Sequence, residues 1–364
     1  MTPLRMTKDG PRPLARIGII KPSALGDVVQ CLPILPALRR RFPEAKFSWV
    51  IQRGLEELVT GHPDLDDVIL FDRRGGWRNW WRLVAELHRR RFDLVIDLQG
   101  LLRTGVMTAA TRAPYRVGLE TAREASDWTL THVLPETGRD VPAHERYLRV
   151  VDALGGNRAD CHTHVSISMA DRIWAERILR DVPRPIFAVH PGARWETKRW
   201  PVEQFAGVMV RAVQAWQPGV LILGSPAEQP DAERLSQQLH ELAPHSVVRN
   251  LTGQTTLKQL AALLMKADAA ISNDSGPMHL AAGLGTPTLG IFTCTSAVRS
   301  GPAGEQHETV STELPCGGSY RKTCPHSGSA HHACFQELSV ERVWSALQRL
   351  VRKNQIDGRR SRVA

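Results

Sequence analysis

Short apolar runs alternate along this chain with longer segments of helical spacing, and the alternation occurs in two series. In the first, residues 15–20, 46–52, 67–71 and 92–98 read as strands. Between them, a segment running to Leu38 and another over 77–91 have helical period, the latter placing Trp80, Trp81, Val84 and Leu87 on one side. The second series begins after Val182-Pro183-Arg184-Pro185. Strands are predicted over 185–190, 220–224 and 247–251, and helices over 202–216, through Leu242, and over 257–266. A last helix is predicted over 340–352. Such regular alternation argues for parallel sheets covered on both faces, an α/β fold of two Rossmann-like units with the division near residues 170–184.

The pattern is sharpest over 270–292, which reads as strand, tight turn, helix, turn, strand. Pro277 suits the first turn of a helix, where its missing N–H costs nothing, and Gly276 lets the backbone approach a ligand closely. Amides at a helix start beyond a parallel strand form an anion site, most often for phosphate. An ordinary strand-to-helix turn with Asp274 or Ser275 as N-cap fits the same residues.

Composition narrows the partners. The 364 residues suffice for two domains, and 42% hydrophobic with 23% charged residues describes a soluble globular chain. No apolar run approaches the roughly 18 residues of a membrane span, and residues 1–16 lack a secretory core, so the expected location is cytoplasmic. Lys and Arg total 47 against 37 Asp and Glu, a net +10, much of it in clusters at 39–41, 89–91 and 359–362. Nucleic acid, an anionic membrane surface, a phosphorylated substrate or merely solvated helix faces could account for this excess. Nothing resembles a zinc finger, an RNA-binding sheet motif or a helix-turn-helix, so nucleic acid is not expected. Six cysteines do not make a disulfide scaffold in a chain this long. Cys316, Cys324 and Cys334 share a Gly/Ser/His-rich segment with His326, His331 and His332, but there is no CxxC pair and metal binding there stays open.

Asn273-Asp274-Ser275-Gly276-Pro277-Met278-His279-Leu280-Ala281-Ala282, followed by Gly285-Thr286-Pro287, resembles the donor-site signature of glycosyltransferase family 9, the bacterial lipopolysaccharide heptosyltransferases. Further resemblances follow in order. Residues 20–29 with Leu32-Pro33 look like the family's first turn; Asp97-Leu98-Gln99-Gly100-Leu101, with Gly118 and Ala122-Arg123-Glu124, looks like the acceptor-side segment of the heptosyltransferase I type. His190-Pro191-Gly192 with Lys198-Arg199-Trp200-Pro201 resembles the donor-side loop. The first turn holds the single glycine Gly26 and no GxGxxG, which disfavours a nicotinamide cofactor.

The resemblance implies a GT-B architecture, two Rossmann-like domains facing a cleft: an acceptor-binding domain over 1–175, a nucleotide-sugar-binding domain over 176–338, a helix over 339–354 returning to the first domain, and a disordered tail over 355–364. It implies an inverting transferase using ADP-heptose on the lipopolysaccharide inner core; another sugar donor, or a catalytically silent nucleotide-sugar-binding protein, are the alternatives. Asp27 would be the catalytic base, with a helix-capping role as the competing explanation, and Lys198 would hold the diphosphate unless it is merely an exposed lysine. Gly192, Glu228, Asp274, Ser275, Gly276 and His279 are implied for the donor, Glu228 toward the ribose and Asp274 as a helix cap or a partner of a sugar hydroxyl. Ser23, Gln99 and Arg123 are implied for the acceptor. The cysteine-bearing segment would be structural. No Asp-x-Asp pair stands at a strand end of the donor half, so no obligatory metal or cofactor is expected. The expected partners are the nucleotide-sugar donor and a lipid A-core acceptor at the inner face of the inner membrane, met by a monomer associated peripherally.

Overall fold

The computed structural model describes residues 14–138 and 141–356, which form two compact units dividing after Ser166. In the first unit, β1 (Arg16–Ile20), β2 (Lys46–Gln52), β3 (Asp67–Phe71), β4 (Leu94–Asp97), β5 (Tyr115–Leu119) and β6 (His132–Leu134) make one parallel sheet in the order β3-β2-β1-β4-β5-β6. In the second, β7 (Ile186–His190), β8 (Gly219–Ile222), β9 (Val248–Asn250), β10 (Ala269–Asn273), β11 (Thr288–Phe292) and β12 (Glu308–Ser311) are parallel in the order β12-β11-β10-β7-β8-β9. Counted from its own first strand, each sheet therefore has the same order, 3-2-1-4-5-6. The expected fold class, two Rossmann-like parallel-sheet units, is the one found.

This order matters because it reverses direction between β1 and β4, and again between β7 and β10. Connections leave those strand pairs in opposite directions, so the loops beyond their carboxyl ends part and leave a crevice, which is where open α/β sheets bind ligands. The central strands β4, β7, β10 and β11 are buried at every position, as continuous apolar runs covered on both faces should be. The strands absent from the sequence reading, β5, β6 and β12, are short and carry polar residues; β6 and β12 are also sheet edges, where half of each strand's surroundings is not sheet.

Three expectations need correction. In the helix Gly76–Arg89, Leu83 and Leu87 are buried and Trp80 meets Phe71 edge-on with ring centroids 6.1 Å apart, whereas Trp81 points outward, 60% exposed. The helix Met169–Leu179, assigned above to the first domain as far as 175, belongs to the second unit, where Lys266 Nζ reaches Glu176 Oε1 at 3.2 Å. The helix Val340–Lys353 does not return to the first unit. Its stripe Val343, Ala346, Leu347, Leu350 and Val351 is buried with Phe205, Met209, Ile291 and Val310, and Trp344 packs against Trp216 with centroids 4.9 Å apart and the rings tilted by 34°. The spacing of an amphipathic stripe shows that it needs an apolar surface, not which surface it will find. Residues 357–364 of the expected tail lie outside the described residues.

Leu347 is fully buried in that stripe, so Leu347→Ala is expected to destabilise the second unit by about 2–4 kcal/mol in denaturant unfolding. A loss below about 0.5 kcal/mol would mean the helix is only loosely attached.

Candidate active site

The motifs singled out in the sequence stand at the two switch points. In the first unit, the chain leaves β1 through Lys21 and Ser23 and enters the helix Leu25–Cys31. Asp27 lies in its first turn, half-buried, with Oδ2 accepting from the Ala24 amide at 3.2 Å. It thus sits one turn inside the helix rather than at the N-cap position, which Ala24 occupies. Gln99, just past β4, accepts through Oε1 from the Ser23 amide at 3.3 Å and so ties the two strand exits together. The turn beyond β4 is held by Asp97, whose Oδ1 accepts from the amides of Gln99 at 2.9 Å and Gly100 at 3.0 Å. Burial raises the Asp97 carboxyl above its ordinary value in spite of those two amides. Gly100 has φ +61°, and a Cβ there would lie 2.9 Å from the Ala122 Cα, so glycine is needed for both reasons. Its carbonyl accepts from the Arg123 amide at 2.8 Å, which fastens the backbone of the exposed Arg123 to the turn that follows Gln99. Buried Lys21 donates to the Leu98 carbonyl at 3.0 Å, a further clasp between the strand exits that the sequence reading did not select.

In the second unit, β7 ends at buried His190 and β10 ends at Asn273. Asn273 Nδ2 donates to the Pro191 carbonyl at 2.6 Å, while its Oδ1 accepts from the Trp200 amide at 3.2 Å. This pins the loop 191–200 across the switch point and presents Lys198. Lys198 Nζ donates to Asp274 Oδ2 at 2.6 Å and lies 4.7 Å from the centroid of the Trp195 ring. Thr295 Oγ1 donates to the same carboxylate oxygen at 2.6 Å, and His279 Nε2 stands 3.8 Å from Oδ1. Burial alone would raise the Asp274 carboxyl above its ordinary value. The nearby His279 imidazole and the Lys198 charge outweigh it and bring the group down to about 2.

Asp274 therefore does not cap the helix Gly276–Gly283; three side chains already engage it. The N-cap residue is Ser275, yet its hydroxyl turns away, to His190 Nδ1 at 3.1 Å and Ser272 Oγ at 2.9 Å, and no side-chain cap closes the helix start. Pro277 in the first turn contributes no N–H. The φ of Gly276 is not positive, so backbone freedom is not what calls for glycine at this position. Glu228 begins its own helix, its Oε2 accepting from the Ser225 amide at 2.7 Å and hydroxyl at 2.8 Å, with His190 Nε2 at 3.4 Å. A Cβ on Gly192 would collide with the Glu228 carboxylate, which explains glycine there. Burial works to raise the Glu228 carboxyl, but His190 and the Ser225 amide and hydroxyl bring it down to about 2.

Gly192, Glu228, Asp274, Ser275, Gly276 and Lys198 are thus drawn around the end of β7 and β10, with His279 turned inward onto Asp274. The sequence reading missed His190, which bridges Glu228 and Ser275, and Thr295, which shares Asp274 with Lys198. His190 was legible as a polar residue closing an apolar strand. Thr295 gave no signal, since its partner is 21 residues away in sequence.

The profile of glycosyltransferase family 9 (heptosyltransferase) matches residues 80–329. The lipooligosaccharide heptosyltransferase 2 of Campylobacter jejuni is 33% identical, the match covering 94% of this chain and all of that protein. The lipopolysaccharide heptosyltransferase 1 of Pseudomonas aeruginosa is 27% identical over 92% of this chain and 98% of its own. Among solved structures, the Escherichia coli ADP-heptose lipopolysaccharide heptosyltransferase II superposes with a TM-score of 0.73 at 20% identity, covering 93% of this chain and 99% of that one.

The depressed Glu228 carboxyl carries a pH signature. Its folded value lies below the unfolded value of 4.5, so its contribution is complete above 4.5 and is lost as pH falls toward about 2. Glu228→Gln is expected to cost on the order of 2 kcal/mol of unfolding free energy at pH 7, a penalty that shrinks markedly by pH 3. The same penalty at both pH values, measured by denaturant unfolding, would show that the ionised carboxylate is not what stabilises this corner.

Proposed function

Since the chain belongs to glycosyltransferase family 9, the heptosyltransferases, we propose that it transfers L-glycero-D-manno-heptose, with inversion, from ADP-heptose to the lipopolysaccharide inner core at Kdo-lipid A or heptosyl-Kdo-lipid A. The observation that carries this is the paired switch point: a carboxylate at the end of β1, and a lysine beside an uncapped helix start at the end of β10. Inversion asks for one displacement. The acceptor hydroxyl oxygen attacks the anomeric carbon, its proton passes to Asp27, and the bond to the diphosphate oxygen breaks to release ADP. Charge develops on the departing diphosphate, where Lys198 and the amides at the start of Gly276–Gly283 are fixed in advance, and no divalent cation is needed. Lys198 has three N–H donors and gives one to Asp274, so the anchored ammonium keeps two for phosphate oxygens. Asp274 acts through Lys198 as a positioning residue. Glu228, held by Ser225, offers its other oxygen to the ribose hydroxyls, and Ser23, Gln99 and Arg123 face the acceptor.

Among the described residues no helix is long and apolar enough to cross a membrane. The helix Gly76–Arg89 instead presents Trp77 and Trp81, 70% and 60% exposed, together with Arg78 and Arg82. Exposed tryptophans beside arginines suit the headgroup level of an anionic membrane, where a lipid-borne acceptor would be met peripherally.

Incubation with ADP-heptose and Kdo-lipid A, without added divalent cation, is expected to give a product heavier by one heptose in mass spectrometry, while UDP- and GDP-sugars give none. Product from a UDP- or GDP-sugar alone would reassign the donor. Asp27→Asn is expected to keep ADP affinity and lose about two to four powers of ten in turnover. Turnover within about tenfold of the parent protein would remove Asp27 from the role of base.

A further inference from the structure

Beside the donor-side loop, one cluster of side chains has no part in the chemistry above. The Sγ of Cys324 and ring nitrogens of His331 and His332 lie within 4.8 Å of one another. We propose that these three residues bind a transition-metal ion of the zinc class, with a neighbouring thiol, Cys316 or Cys334, in the fourth position. Four observations point there. The Nε2 of His332 is buried and meets no hydrogen-bond partner, the state of an imidazole nitrogen kept for a ligand. His331 Nδ1 donates to the His326 carbonyl at 2.9 Å, which leaves its Nε2 as the bare, metal-binding nitrogen, the arrangement found around metal-bound imidazoles. The His332 amide donates to Cys324 Sγ at 3.4 Å, a contact that fixes the sulfur beside the His332 backbone. Finally, Cys316 and Cys334 flank Cys324 in the same segment, eight residues before it and ten after, and are the candidates for the fourth donor.

The donor set decides the class of ion. Sulfur and imidazole nitrogen select zinc, or iron in its softer sites, over magnesium or calcium, which take oxygen. Tetrahedral zinc with Zn–N near 2.0–2.1 Å and Zn–S near 2.3 Å places its donors roughly 3.3–3.9 Å apart, so a contraction of about 1 Å closes the site.

Such an ion would be a staple rather than part of the reaction. The Arg321 carbonyl accepts from Thr197 Oγ1 at 2.7 Å, and the Leu338 carbonyl accepts from Trp200 Nε1 at 2.8 Å. The segment from 321 to 338 is thereby fastened on both sides of Lys198, and a metal between residues 324 and 334 would stiffen the span between those fastenings.

The full-length protein, made without a histidine tag or chelator, is to be assayed for metals by elemental mass spectrometry. About one zinc or iron per chain is expected, falling at least tenfold in Cys324→Ser and in His332→Ala and unchanged in Cys161→Ser, a cysteine of the first unit. Loss in Cys316→Ser or Cys334→Ser identifies the fourth donor; loss in neither overturns the thiol in that position. Because variants can misfold, the unaltered protein is also titrated with Co2+ after metal removal, and thiolate charge-transfer absorption with tetrahedral d–d bands is expected. Less than about a tenth of an ion per chain, together with no such bands, overturns the site. Neither readout depends on turnover, so failure here leaves the heptosyl-transfer reading where it stands.

Discussion

The bond between Lys198 and Asp274 is the constraint on which the second unit's chemistry depends. Both side chains are largely out of water, Asp274 at 5% exposure, and their 2.6 Å contact is shared with Thr295. A buried ion pair of this kind is weak evidence for stability, because desolvating two charges offsets much of the attraction between them. Its consequence is positional. Removing either partner would strand a charge in low dielectric at about 3–5 kcal/mol, so the lysine has one place to be. That place lies beside a helix start that no side chain caps.

Everything around the pair serves to bring it to the switch point. Parallel order 3-2-1-4-5-6 parts the loops beyond β7 and β10. Asn273 then crosses the gap, binding Pro191 on one side and Trp200 on the other, and His190 joins Ser275 to Glu228. Ser275 is drawn off its helix by His190, which is the local reason the helix start stays open. The first unit repeats the plan with other residues: Gln99 and Lys21 join the exits of β1 and β4, and Asp27 stands in the turn they hold.

Much of this was legible in the sequence because the informative residues interrupt buried apolar runs. Gly26-Asp27, Gln99-Gly100, Pro191-Gly192 and Asn273-Asp274-Ser275-Gly276 all follow strands directly, and glycine, proline and short polar side chains there announce a turn. What could not be read was pairing across distance. Asp274 looked like a helix cap because a cap is the local use for such a residue; its partners Lys198 and Thr295 are brought in by the fold. The terminal helix showed its stripe but not its surface, and the helical spacing groups Trp81 with Trp80 and Leu87 because one face of a helix containing three tryptophans can be drawn in more than one register. The edge strands β6 and β12 escaped because half-solvated strands lack a continuous apolar signal.

The central claim is that Lys198, oriented by Asp274, holds the diphosphate of the donor. Calorimetric titration of folded Lys198→Ala with ADP and with adenosine tests it most directly, since adenosine lacks both phosphates and reports only on the base and sugar contacts. The account predicts ADP affinity at least tenfold weaker than in the unaltered protein, a loss of about 1.4 kcal/mol or more, with adenosine affinity unchanged. Equal ADP affinity in the two proteins would contradict it.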